Sequence, residues 1–188
     1  QSATHQLTEA LKAAEKAGDK HATGLIYNGL GLVNISLNKP ALAIGYFQKA
    51  VSLCRETGDL TNEAGISLNI ANCYAESGEY YKALEFYSEN LRVLQHINDS
   101  SQIILAFINL GMVNRQLRRH DESFRFLELA INSLGKFPNQ SLLCTALLEK
   151  GNTSLAAGKP EEAGNFFHQS MNISSGTLAR SNRMEALS

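Results

Sequence analysis

The groups from which acid-base or metal chemistry could be built are two acidic pairs, Asp121-Glu122 and Glu161-Glu162, and five histidines. Each acidic pair opens a candidate helix, where unpaired backbone N–H groups stabilise negative charge, so local structure accounts for both pairs without catalysis. His21, His96, His120 and His168 fall near different helix ends, and no two histidines stand at metal-binding helical spacing. The G-x-S-x-G elbow, the P-loop and the dinucleotide-binding glycine fingerprint are all missing. Cys54, Cys73 and Cys144 make an odd count with no C-x-x-C pair, which argues against a disulfide framework or a zinc ribbon. No enzyme, metal site or cofactor is therefore expected. Recognition is the chemistry that remains. Asparagines recur at Asn69, Asn72, Asn109 and Asn152. A carboxamide both donates and accepts, so asparagines projecting into a groove can pair with the N–H and C=O groups of an extended peptide whatever its sequence.

Composition narrows the setting. The chain has 188 residues, 44% hydrophobic and 19% charged, with 17 basic against 18 acidic side chains, which is the profile of a globular protein. A net charge of -1 gives no basic surface for nucleic-acid phosphates or anionic membranes. No apolar stretch approaches the ~20 residues that cross a bilayer, and the N-terminus lacks a signal-peptide layout. A cytoplasmic protein with reduced thiols is the expectation.

The elements that would position the asparagines repeat every forty residues. Ala3, Ala43, Ala83, Ser123 and Ala163 form one column, and four residues after each stands Leu7, Phe47, Tyr87, Leu127 or Phe167. Next come Ala10, Ala50, Asn90, Ala130 and Ser170, followed directly by Leu11, Val51, Leu91, Ile131 and Met171. Spacings of three and four mark one face of a helix. An earlier helix in each unit carries Leu30-Gly31, Ile70-Ala71, Leu110-Gly111 and Lys150-Gly151. Glycine costs about 1 kcal/mol against alanine inside a helix, so its recurrence in one column predicts a neighbouring helix too close for a Cβ. Pro40 and Pro160 suit the first turn of the second helix, while Asn38, Gly78 and Gly158 suit a left-handed turn before it. Gly18-Asp19, Gly58-Asp59, Asn98-Asp99 and Pro138-Asn139 pair a helix stop with an N-cap acceptor. The spacing predicts helices over 20–37, 40–57, 60–77, 80–97, 100–117, 120–136, 140–157 and 160–175. The organisation is one array: residues 1–19 as the second helix of a preceding repeat, repeats at 20–59, 60–99, 100–139 and 140–179, then 180–188 as the start of a further helix or a tail. An excised piece of a longer array is expected.

These columns resemble the tetratricopeptide repeat, through Tyr27, Leu30-Gly31, Ala43, Phe47 and Ala50, and again through Ile70-Ala71, Tyr74, Gly78, Ala83 and Tyr87. The forty-residue period is similar to that of the extended group containing the LGN/Pins adaptors and kinesin light chains, as is Asn69-Ile70-Ala71-Asn72-Cys73-Tyr74. The resemblance implies an all-α, right-handed superhelical solenoid of antiparallel helix pairs, with first helices lining a concave groove. Counting from the glycine column, the peptide-binding lining is Asn28, Leu32, Leu68, Asn69, Asn72, Ile108, Asn109, Met112, Arg115, Glu149 and Asn152, with Ile35, Glu76, Gln116, Leu148 and Leu155 beside them. The extended-repeat proteins use asparagines at the places of Asn69, Asn72, Asn109 and Asn152 to hold peptides. Another group of these repeats clamps a ligand's C-terminal carboxylate with basic residues, but the corresponding places here hold Asn28, Leu105 and Asn109. Arg115, Arg118, Arg119 and His120 form a basic run at a helix end, where cations suit the macrodipole, and Arg115 alone points toward the expected groove to meet an acidic ligand residue.

The function expected from this is a non-enzymatic scaffold or adaptor that binds an extended segment of a partner protein. Self-association, an autoinhibitory module of a larger protein and a peptide-sensing regulatory domain are the alternatives. No nucleic-acid or membrane partner is expected.

Overall fold

A computed structural model describes residues 3–185, with side chains from residue 4 to residue 175. Every regular element among the described residues is a helix: α1 (Ala3–Ala17), α2 (Lys20–Ser36), α3 (Pro40–Thr57), α4 (Leu60–Glu76), α5 (Tyr80–Ile97), α6 (Ser100–Gln116), α7 (His120–Leu134), α8 (Gln140–Ala156) and α9 (Pro160–Glu185). They fall into two compact units that divide between Asn98 and Asp99. Unit 1 stacks α1 to α5, and unit 2 stacks α6 to α9, each helix packing against its neighbour in sequence.

The punctuation in the sequence sets these boundaries. Asp19, Asp59, Asp99 and Asn139 each accept, through a side-chain oxygen, the backbone N–H of the third residue on: Ala22, Asn62, Gln102 and Leu142. Gly18, Gly58 and Asn98 stand before three of those caps with positive φ, the left-handed geometry that stops the preceding helix. Within the hairpins, Asn38, Gly78 and Gly158 are left-handed as expected, and so is Arg118, with φ 58°. Nothing about an arginine announces that conformation. The break expected after residue 175 does not occur: α9 runs unbroken to Glu185, and residues 186–188 of the expected further helix or tail lie outside the described residues. Leu178-Ala179 stand where the other units carry a stop and a cap, so nothing in the chain ends the helix there.

Packing follows the forty-residue columns. Ala43, Ala83, Ser123 and Ala163 are fully buried, as are Phe47 and Leu127. Each large side chain lies over the glycine sixteen residues before it: a Cβ on Gly31 would meet the Phe47 ring, one on Gly111 would meet Leu127, and one on Gly151 would meet Phe167. In unit 1 the core gathers Phe47, Val51, Ile66 and Ile70, and in unit 2 Ile104, Ile108, Leu127 and Leu134. Each such side chain contributes roughly 1.5–3 kcal/mol on burial. The column fails at its last member. Met171 is 64% exposed, on a helix that packs mainly against α8.

Where a polar residue replaces a core alanine, it finds a partner. Asn90 donates from Nδ2 to the Ala64 carbonyl at 2.7 Å, and Ser123 shares a hydrogen bond with Thr153 at 2.9 Å. Glu63 is buried against the Arg55 guanidinium, Nε to Oε1 at 2.6 Å. Of the three thiols, Cys54 and Cys73 are buried in the unit 1 core while Cys144 is half-buried in α8. Burial pushes the Cys54 and Cys73 thiols above their ordinary range, with Asp59 and Glu63 adding to the first and Glu76 to the second.

Candidate binding faces

In unit 1, α2 packs between α1 and α3, and α4 between α3 and α5. Leu32 and Ile35 from α2, Phe47 from α3, and Asn69, Asn72, Cys73 and Glu76 from α4 line a cleft of about 120 Å³. Three of the expected lining residues, Leu32, Asn69 and Asn72, therefore come together. Leu68 and Asn28 are half-buried beside them, and the Asn28 Oδ1 is buried without a hydrogen-bond partner. Leu32 is 49% exposed, an apolar surface standing next to amides.

The two cleft carboxamides differ in freedom. Among the described residues nothing hydrogen-bonds to the Asn69 carboxamide. Asn72 is held from behind: the Tyr87 hydroxyl donates to its Oδ1 at 2.7 Å, which leaves the amide NH2 as the unengaged half. Tyr87 is buried, and burial pushes its phenol up to about 12, with the charges of Glu76 and Cys73 adding to the effect. The hydroxyl thus stays a donor at neutral pH. Sequence reasoning placed Tyr87 only in the core column and missed this positioning role. The signal was present, since a buried tyrosine among Leu and Phe column-mates requires a partner for its hydroxyl.

In unit 2 the expected face on α6 and α8 is rearranged. Asn109 is half-buried with no hydrogen-bond partner among the described residues, and Met112 is exposed at the surface. Ile108 is not part of the lining: it is 1% exposed, turned into the core against Leu127 and Ala130. Arg115 does not stand open to an acidic ligand. Its Nη2 lies 3.2 Å from Oε2 of Glu149, and Asn152 donates from Nδ2 to the other Glu149 oxygen at 3.2 Å. Three residues expected to meet a ligand therefore engage one another, although the Arg115 Nε stays buried without a partner among the described residues. The apolar groups around them, Met112, Leu148 and Leu155, stay exposed.

A second cleft in unit 2, about 480 Å³, lies at the hairpin turns and is lined by Arg118, Arg119, His120, Asp121, Glu122, Phe124, Ala157 and Lys159. Its charges are of both signs. Glu122 pairs with Arg125, and Lys159 lies 5.7 Å over the Phe124 ring and 3.7 Å from Glu162. The described residues contain no cluster of three or more histidine, cysteine or carboxylate side chains suited to a metal, and no helix among them is long and apolar enough to cross a membrane.

Comparison with known proteins matches the same repeat. The tetratricopeptide repeat description fits residues 62–135 and, in a second form, residues 25–57. Among curated proteins, the anaphase-promoting complex subunit CDC16 of Saccharomyces cerevisiae is 25% identical over 161 residues, a match spanning 83% of this chain but 18% of that protein's length. Among solved structures, the nearly identical TPR-like repeats of a putative kinesin light chain from Podosopora anserina superpose with a TM-score of 0.80 at 14% identity, covering 94% of this chain and 87% of that one. A Rap protein complexed with Competence and Sporulation Factor superposes with a TM-score of 0.68 at 15% identity, over 82% of this chain and 43% of that one. At such identities the superpositions establish a shared all-α, solenoid-type fold.

Proposed function

Because the chain belongs to the tetratricopeptide repeat family, we propose that it is a non-enzymatic interaction scaffold, its first-helix faces each holding an extended stretch of a partner protein. One observation carries the reading most of the way: Asn69 and Asn72 share a cleft with exposed Leu32, so backbone-pairing amides stand beside an apolar pocket for a side chain. In unit 2, Asn109 and Met112 repeat that combination on α6, with Glu149 and Asn152 beyond them on α8. A structural neighbour solved with a bound factor supports a ligand-holding use of such a fold. The setting is cytoplasmic, and neither a cofactor nor a nucleic acid takes part.

The experiment is selection of linear peptides from a random phage-displayed library, followed by fluorescence anisotropy on the selected sequences. Asn69→Ala combined with Asn109→Ala weakens binding at least tenfold while leaving the melting temperature within a few degrees. Unchanged affinity would refute the assignment. Self-association is the second reading, favoured by Leu148 and Leu155, which are 44% and 51% exposed and lie seven residues apart on α8. It requires a mass above the monomer in sedimentation equilibrium, reduced by Leu148→Ser with Leu155→Ser.

A further inference from the structure

Glu76 is the one acid among the residues lining the unit 1 cleft, and nothing local explains it. It is the last residue of α4, at the negative end of the helix macrodipole, where a carboxylate is disfavoured. Acids also stand in the last turns of α1 and α3, but there Glu15 accepts from the Tyr27 hydroxyl and Glu56 pairs with Lys20. Residues in the same column as Glu76 are uncharged: Ser36, Gln116 and Ala156. Elsewhere in unit 1, Glu56, Glu63, Glu79 and Glu89 each have a lysine or arginine partner, while Glu85, exposed on α5 and outside the cleft lining, has none among the described residues. Glu76 has neither an ion pair nor a hydrogen bond among the described residues. Beside it stand Leu32 and Ile35, which offer apolar surface, and the amides of Asn69 and Asn72, with buried Phe47 behind them.

We propose that this cleft selects a partner segment carrying a lysine or arginine between apolar residues, with the cation set against Glu76 and its aliphatic stem laid along Leu32 and Ile35. Lysine and arginine combine the two properties the lining requires, since their methylene stems cover apolar surface while their heads carry the charge. Glu76 is exposed, so a neutral side chain would leave its carboxylate to water alone, and an acidic one would be repelled by it. The assignment rests on the reading of this face as peptide-binding and adds the chemistry that it recognises.

The test extends the phage selection to three forms of the chain: unaltered, Glu76→Gln and Glu76→Lys. The unaltered chain enriches peptides with one basic residue flanked by apolar ones. Replacing that residue by methionine in a selected peptide weakens binding about two- to fivefold, the range of a solvent-screened ion pair. On Glu76→Gln the same replacement has no effect beyond about 1.5-fold, and Glu76→Lys no longer enriches basic residues. Persistence of the basic preference in Glu76→Gln, or selected peptides uncharged at that place, overturns the proposal while leaving a peptide-binding face intact. Failure to select any peptide, or indifference of the selected peptides to Asn69→Ala, overturns the underlying reading and the proposal with it. Glu76→Gln melts at or above the temperature of the unaltered chain, because it removes a charge from an unfavourable helix end. Raising sodium chloride in the binding buffer narrows the lysine-to-methionine ratio for the unaltered chain, and a ratio indifferent to salt also overturns the ion pair.

Discussion

A Cβ at Gly31 would lie 2.3 Å from Cε1 of Phe47, closer than non-bonded carbons can approach, so the missing side chain is what lets α2 and α3 close on each other. Gly31→Ala therefore gains helix propensity and loses packing, and overpacking of a closed core costs about 1–3 kcal/mol. We expect net destabilisation of about 1–2 kcal/mol in urea unfolding. Gly45→Ala is the control: this glycine is exposed in the middle of α3, a Cβ there would touch nothing within 4 Å, and the change stabilises by about 0.5–1 kcal/mol. Losses of equal size at both positions would contradict the contact argument.

Arg118 stands in the left-handed region, where its equivalents are Asn38, Gly78 and Gly158. A side chain there strains against its own backbone by about 1–2 kcal/mol. Arg118→Gly relieves the strain, although the unfolded chain gains entropy, and we expect a net stabilisation of about 0.5–1 kcal/mol. Comparison of urea midpoints at constant slope checks this. A lower midpoint would mean that the arginine holds a contact worth more than its strain.

Tyr87 links fold and face through its hydrogen bond to Asn72. Its phenol is pushed up to about 12, mainly by burial and further by Glu76 and Cys73, against about 10 in an unfolded chain. Between those values the unfolded state loses the proton while the folded state keeps it. Stability carried by this group is thus intact below about pH 10 and falls as pH rises toward 12. Absorbance at 295 nm should show this tyrosine ionising late, and Tyr87→Phe should flatten the alkaline decline. The same substitution costs about 1 kcal/mol at neutral pH and frees the Asn72 carboxamide to rotate, weakening peptide binding.

Asp59 caps α4 and also faces His21 at 3.2 Å. Hydrogen bonds from the Asn62 side chain and backbone hold its carboxyl below the usual range, with the His21 charge a lesser cause. A depressed carboxyl stabilises the fold above its unfolded value, near 3.9, and loses that contribution as pH falls through the folded one. Asp59→Ala should cost about 1 kcal/mol at pH 7, and the two proteins should converge in stability in strong acid. A difference independent of pH would show that the cap works without its charge.

The hairpins were legible because their ends are written in short-range chemistry. A left-handed Gly or Asn followed by Asp acts through bonds spanning three residues, and the Gly31, Gly111 and Gly151 column reports helix contact by what it lacks. The face was less legible. Ile108 shares the column of Asn28, Leu68 and Leu148, yet it is buried in the core where they are not, and the column alone does not distinguish them. Arg115 and Glu149 are thirty-four residues apart, and only the packing of α6 on α8 brings their charges within reach. α9 outruns the forty-residue pattern because Leu178-Ala179 supplies neither the left-handed stop nor the cap that ends the other helices.

The unequal shielding of the three thiols supplies a built-in clock. A maleimide added to native protein should modify half-buried Cys144 first, while Cys54 and Cys73 stay silent inside unit 1 until its hairpins part. Their labelling rate then reports how often that unit opens, with no probe grafted onto the chain, and a ligand seated in the cleft beside Cys73 should slow it.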